Sequence, residues 1–208
     1  LYSSAASDVY KRQELEMIIA FSLTMPGIPF IFYGNEIGMR QLYGNPYVEG
    51  AYKPRAGGRT PMQWDSGKNL GFSTAVQEKL YLPVDSAEDA PNVADQEANP
   101  NSLLNHVRKL IQLKKAEPAL AAYAEFVPVY ANENTYPFIY ARAAGKDVIL
   151  CIFNPASRNS SAQFKLNINA NNFLLLSGNK DTKIKSKDNV YNVDLNGQSY
   201  AIYKIEKE

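Results

Sequence analysis

The stretch MPGIPFIFYG, residues 25–34, decides how the rest of the chain is read. Its core, Ile28 to Gly34, is a short apolar run rich in Ile and Phe and bounded by Gly27 and Gly34. That pattern predicts a parallel strand covered on both faces. Just before it, residues 14–25 (ELEMIIAFSLTM) read as a buried helix. This helix ends at Met25, because a residue preceding proline is pushed out of the helical region. Helix, tight turn and parallel strand in that order predict an α/β protein. No membrane partner is expected. Although no charge falls between Glu16 and Glu36, Pro26, Gly27 and Pro29 divide the apolar run, and a spanning helix needs about 20 continuous residues.

Toward the N-terminus, SSAASDVYKRQ (Ser3 to Gln13) resembles the in-frame translation of a transposase adapter used in preparing sequencing libraries. Residues 1–13 are therefore set aside from fold reasoning, and the basic flank of Lys11 and Arg12 is set aside with them. In the other direction, residues 38–99 are rich in Gly, Pro, Tyr and Asn and poor in periodicity, so a long functional loop is expected there. A helix is expected to begin at Asn99-Pro100, with Asn99 as cap and Pro100 at the first helical position. Its apolar stripe is Leu103, Leu104, Val107, Leu110 and Ile111; Lys114 and Lys115 suit the negative end of the dipole, and Pro118 marks the stop.

Beyond Ala119 the pattern changes to short alternating runs: EFVPVYA, PFIYARA, DVILCIF, AQFKLNI, VYNVDL and SYAIYKI. About six or seven strands at this spacing predict a small antiparallel sandwich. Turns are expected at residues 145–147 and 177–179, and Asn196-Gly197 is the strongest two-residue hairpin signal.

Bulk composition excludes several classes. The 208 residues carry 22 basic and 21 acidic side chains, a net charge of +1, with no basic run, so a nucleic-acid partner is not expected. The single cysteine, Cys151, excludes an internal disulfide and a cysteine-based zinc site, and within DVILCIFNP it reads as a small core residue. The only histidine, His106, lies at the shoulder of a helical stripe and reads as a helix-surface residue rather than a catalyst. No cofactor or metal is expected. Twelve per cent aromatics suit a sheet-rich core and sugar-stacking surfaces equally.

From Glu14 to Ala119 the chain resembles the alpha-amylase superfamily of glycoside hydrolases (family thirteen), in particular its alpha-glucosidase, oligo-glucosidase and trehalose-synthase branches. The resemblance is carried by MPGIPFIFYGNEIGM, RTPMQWD (Arg59 to Asp65), NLGFS and SLLNHVRKLIQLKK. It implies that residues 14–118 are the C-terminal part of a (β/α)8 TIM barrel (last strand, substrate loop and last helix) and residues 119–208 an antiparallel β-sandwich called domain C. Because barrel active sites lie at the C-terminal ends of the strands, Tyr33, Asn35 and Glu36 should reach the rim of a sugar pocket.

The resemblance also implies that Arg59 hydrogen-bonds the terminal glucose of an alpha-glucan oligosaccharide, a task suited to a planar fan of donors that stays charged. The competing reading of Arg59 is a structural ion pair. Gln63 and Trp64 are expected either to shape the pocket or to plug the loop. Glu36 and Asp65 read as turn caps or ion-pair partners of Arg59 rather than as catalytic acids. The family takes its three acids from strands four, five and seven, all upstream of Glu14, so the chain alone is expected to be inactive. The short, Tyr- and Gly-rich segment at residues 40–58 favours an alpha-glucosidase or amylase on maltodextrins, then a trehalose-synthase-type glucosyl transferase, over an oligo-1,6-glucosidase. A non-catalytic carbohydrate-binding sandwich is the alternative of a different class.

Overall fold

The alternating pattern after Ala119 folds into eight strands among the described residues, two more than the quoted runs supply. The computed structural model describes residues 4–44, 48–50, 53–168, 170–187 and 189–207. Four α-helices come first: α1 (Ser4–Thr24), α2 (Lys53–Ala56), α3 (Val93–Ala98) and α4 (Leu103–Ala116). The strands follow as β1 (Glu125–Tyr130), β2 (Phe138–Ala144), β3 (Asp147–Asn154), β4 (Ser160–Lys165), β5 (Ala170–Gly178), β6 (Ile184–Lys187), β7 (Val190–Leu195) and β8 (Ser199–Lys207). The chain divides into two compact units, one formed by residues up to Pro29 and from Arg108 onward, the other by residues 30–107.

In the first unit, β1-β2-β3-β8-β5 make one antiparallel sheet and β4-β7-β6 another. Their facing residues, among them Ile139, Leu150 and Ile152 from the large sheet and Phe164, Tyr191 and Val193 from the small one, form a common core. The opposite face of the large sheet is also covered. There Tyr140, Ile149, Cys151, Phe153 and Ile202 pack with Met17, Ala20 and Leu23 of α1, Leu110 of α4 and Leu120. A strand with both faces covered has no polar positions to show, which explains why β3 is buried from Val148 through Asn154.

Cys151 lies fully inside, as its neighbours predict. Burial pushes its thiol up to about 12, from an ordinary 9.0, with hydrogen bonds and the Arg142 charge acting against the shift. A raised acid pKa contributes stability that is complete below about pH 9 and is lost as pH rises toward 12. Iodoacetamide at pH 8 should therefore leave native Cys151 unmodified and add one carbamidomethyl group after denaturation. Complete labelling of the native protein within minutes, read by mass, would contradict this burial.

Several sequence expectations are corrected. Residues 28–33 form no strand among the described residues; Ile28 is 77% exposed and Phe30 93%. A strand is made by its neighbours' hydrogen bonds, and no described segment pairs with this one. Helix α1 is longer than expected and buries one face only: Met17, Ala20 and Leu23 point inward, whereas Ile18 is exposed. Helix α4 starts at Leu103, not at Pro100; Ser102 acts as its cap, its hydroxyl accepting from the Asn105 amide at 3.2 Å. Asn196-Gly197 is not a hairpin, because β7 and β8 belong to different sheets. Gly197 is needed there for a close approach, since a Cβ would fall 2.2 Å from the Ser157 carbonyl oxygen.

Candidate functional site

The unit formed by residues 30–107 holds every residue the sequence singles out for substrate. The path begins with a tight turn. Gly34 sits at φ 87°, and a Cβ on it would lie 2.4 Å from the Met39 sulfur, so no other residue fits without rearrangement. A short 3-10 turn, Asn35–Ile37, follows, closed by the Met39 amide donating to the Gly34 carbonyl at 2.9 Å. Asn35 is exposed, while Glu36 is half-buried with its Oε2 enclosed and without a hydrogen-bond partner among the described residues. Tyr33 donates its hydroxyl to the Thr60 carbonyl at 3.1 Å, and this bond brings the turn against the residue following Arg59.

Arg59 is exposed, and its backbone amide donates to the Ala56 carbonyl at 3.0 Å, fixing it at the end of α2. No ion pair holds its guanidinium among the described residues. Asp65 instead accepts from the Gly67 amide at 2.7 Å, the turn-capping role expected as one of its two possibilities.

Beyond Asp65 the chain folds back sharply. The amides of Trp64 and Asp65 both donate to the Leu70 carbonyl, at 2.8 and 3.3 Å. Asn69, Leu70 and Gly71 follow one another at positive φ: 52°, 55° and 71°. Such a conformation costs about 1–2 kcal/mol for each non-glycine residue. The Asn69 amide offsets part of that cost by donating to the Ser73 and Ala75 carbonyls at 2.8 and 2.9 Å. Gly71 cannot carry a side chain, because a Cβ would meet the Asp65 carboxylate at 2.6 Å. The NLG within NLGFS is thus a backbone requirement.

Helix α3 holds the two parts together, and it lies inside the segment that sequence periodicity leaves as a loop. Its first amides, of Val93 and Ala94, donate to the carbonyls of Gln63 and Trp64 at 3.0 and 2.9 Å. Asn92 caps the helix by accepting from the Asp95 amide at 2.9 Å. Gln96 then donates to the Ile37 carbonyl at 2.7 Å and accepts from the Leu104 amide at 3.0 Å, tying the turn after Glu36 to α4. The readable signal was Asn92-Val-Ala-Asp95 after Pro91, a cap on a helix too short to show a stripe.

The remaining candidates separate. Trp64 is 50% exposed, so its ring is not a buried plug. Gln63 is 1% exposed, with a side-chain oxygen that finds no hydrogen-bond partner among the described residues. Asp85 and Asp89 are engaged by Arg40, at 2.9 Å each. No cluster of His, Cys, Asp and Glu suited to a metal ion occurs among the described residues, nor any helix long and apolar enough to cross a membrane.

The strained loop, pinned by short helices, thus carries an exposed guanidinium and a half-exposed indole. Residues 1–123 match the family model described as the alpha amylase catalytic domain, and the chain belongs to that family of glycoside hydrolases. It is 36% identical over 152 residues to the trehalose synthase/amylase of Mycobacterium tuberculosis, covering 69% of this chain and 24% of the relative. With a probable oligo-1,6-glucosidase of Bacillus subtilis it shares 28% over 187 residues, covering 76% of this chain and 32% of the relative. The chain thus spans about a quarter to a third of the length of these relatives. Among solved structures, the isomaltulose synthase of Erwinia rhapontici superimposes with a TM-score of 0.75 at 23% identity, over 93% of this chain and 38% of that one.

Proposed function

We propose that this chain is the C-terminal part of a retaining enzyme acting on alpha-glucosides, of the alpha-glucosidase and trehalose-synthase type, with maltose or maltodextrins as substrate. In this reading Ile28 to Tyr33 is the last strand of a (β/α)8 barrel, residues 38–99 are the substrate loop and α4 is the closing helix. The antiparallel sheets from residue 119 are domain C, and residues 1–13 are the adapter translation.

The observation that carries the proposal is Arg59, exposed and without an ion pair among the described residues, fixed on a loop that Tyr33 ties to the turn after that strand. The bare apolar run Ile28 to Phe32 supports it as a strand that lacks its neighbours. Retaining hydrolysis requires two carboxylates about 5 Å apart, one attacking the anomeric carbon and one protonating the leaving oxygen. Asp85, Asp89 and Asp65 are committed to Arg40 and to a turn, and this reading gives Glu36 no catalytic part, so it takes the two carboxylates from residues outside this chain.

Hydrolysis and isomerisation differ in the acceptor, water or the released glucose. The higher identity to trehalose synthases and the short residue 40–58 segment favour isomerisation as the second reading. The catalytic-domain match weighs against a stand-alone binding module.

The test is the full-length parent recovered from the source genome and incubated with maltose. Glucose as product supports hydrolysis; trehalose supports isomerisation; turnover of neither by the parent removes the proposal. The 208-residue chain alone should give no turnover above a buffer blank, and activity surviving a contamination control would place the catalytic acids within it.

A further inference from the structure

Asn196-Gly197, which reads as a hairpin in the sequence but joins two sheets in the fold, is left without a role by the function proposed above. It is the chain's single Asn-Gly pair. Such a pair is chemically labile. With no side chain on the glycine, its backbone nitrogen reaches the asparagine side-chain carbonyl carbon unhindered. The nitrogen gives its proton to hydroxide and bonds to Cγ, ammonia leaves, and a five-membered succinimide closes. Water then opens the ring to aspartate or isoaspartate, so the sequence consumes only water. Asn196 is exposed, and both water and hydroxide reach it.

The fold opposes the first step. The Gly197 amide donates to Asn159 Oδ1 at 3.2 Å, so the proton that must be removed is engaged. The other side of the same peptide group is held too, since the Asn196 carbonyl accepts from Asn154 Nδ2 at 2.8 Å and from Ser199 Oγ at 2.7 Å. Asn154 is itself 0% exposed and also donates to the Arg158 carbonyl at 2.9 Å. Gln198, the next residue, donates its amide to the Ala156 carbonyl at 2.8 Å. These bonds fasten together the two connections that pass between the sheets, residues 155–159 from β3 to β4 and residues 196–198 from β7 to β8. A hydrogen-bonded amide loses its proton to base only when its segment opens locally.

We propose that Asn196 is a site of spontaneous deamidation, held unreactive by Asn159 and Asn154 while the two connections are closed and modified when they open. The modification is one-way. In isoaspartate the main chain runs through the former side chain and gains a carbon, and the carbonyl that Asn154 and Ser199 hold becomes a free carboxylate. A Cβ on Gly197 would already collide with the Ser157 carbonyl oxygen, so the connection has no room for a longer path. Chains that stay open long enough to react are thereby kept from closing again.

The test incubates the full chain at mildly alkaline pH, folded in buffer and unfolded in urea. The peptide containing Asn196 is followed by mass, where deamidation adds one unit, and by chromatography, which separates isoaspartate. In urea Asn196 should react faster than every other asparagine. In buffer it should react about 100-fold more slowly than in urea, the factor three hydrogen bonds imply. Asn159→Ala should raise the rate in buffer about three- to tenfold while Cys151 stays unreactive, and Asn159→Asp, which keeps an acceptor, should not raise it. Hydrogen exchange at the Gly197 amide needs no variant and should be slow in the unaltered chain. After urea is removed, unmodified chains should bury Cys151 and chains carrying isoaspartate should not. Equal rates in buffer and urea, Gly197 exchange at the unfolded rate, an unchanged rate in folded Asn159→Ala, or isoaspartate chains that bury Cys151 again would each overturn the proposal.

Discussion

Replacing Arg142 by methionine is expected to destabilise the unit containing the sheets by about 3–5 kcal/mol, the range seen when a buried charged network loses one member. Arg142 stands on β2 and is 0% exposed. Among the described residues no carboxylate pairs with it. Instead its guanidinium donates to backbone carbonyls: Thr24 at the end of α1, Ala121 at 2.7 Å, Ala124 at 3.0 Å and Glu125 at 3.2 Å. Helix ends leave carbonyls without partners, and they carry the negative end of the dipole, so a buried cation is welcome there.

Burial pulls the Arg142 pKa below the usual arginine value, and the same cause, joined by the Arg142 charge, lowers that of Lys114. Lys114 bonds the neighbouring carbonyls of Leu23 and Leu120 at 2.9 and 2.8 Å. Methionine would keep the stem but strand the acceptors, each at about 1–3 kcal/mol if water does not reach it. Lysine would restore the charge without the planar fork and should recover only part. Thermal melts followed by circular dichroism, together with Cys151 labelling, measure the loss. It should appear as about 6–20 °C in melting temperature. A methionine variant melting within about 2 °C of the parent would show that the carbonyls find other partners.

Arg142 also shows where the sequence stops being informative. Its partners lie as far as 118 positions away in the chain, and nothing local in FIYARAA distinguishes it from a solvent-facing arginine. Elements with a strong period were legible: the α4 stripe ends inside as expected at Leu104, Val107 and Leu110, and β7 alternates through Tyr191, Val193 and Leu195. β5 was not, because its sequence, ANNFLLLSG, combines polar ends with a leucine run that does not alternate, and its register shifts twice against β8. β6 is four residues long and half lysine. Residues 28–33 take no strand form among the described residues for a different reason. Their composition is a strand's, but composition cannot supply the neighbour that a strand requires.

The candidate site was legible where residue type constrains geometry. Gly34, Gly71 and Asp65 each serve the backbone in a way their identities permit. The clamp made by Asn92 and Gln96 escaped notice, because Asn92 caps a helix too short to show a stripe and the Gln96 bond to Ile37 reaches 59 positions along the chain. Gln63 lies inside the unit, which neither its neighbours nor its polarity indicated.

In the full-length parent, Arg59→Ala should lower kcat/KM on maltose by about 10- to 150-fold, the equivalent of losing a hydrogen bond to a charged donor worth about 1.5–3 kcal/mol. The proposed role is contact with the outer hydroxyls of the terminal glucose. That contact persists as the sugar ring flattens toward its oxocarbenium-like transition state, so kcat/KM carries the whole loss. Arg59→Lys keeps the charge but loses the fork, and should fall between the alanine variant and the parent.

The geometry sharpens the comparison. Because Arg59 is exposed and holds no ion pair among the described residues, neither substitution should move the melting temperature by more than about 2 °C. Thr60 should still accept from Tyr33, since that bond uses a backbone carbonyl which the Arg59 side chain does not touch. A variant that melts normally yet loses kcat/KM therefore assigns the loss to sugar contact. Normal melting with kcat/KM within twofold of the parent would take Arg59 out of the pocket, and a large fall in melting temperature would return it to a loop-pinning role.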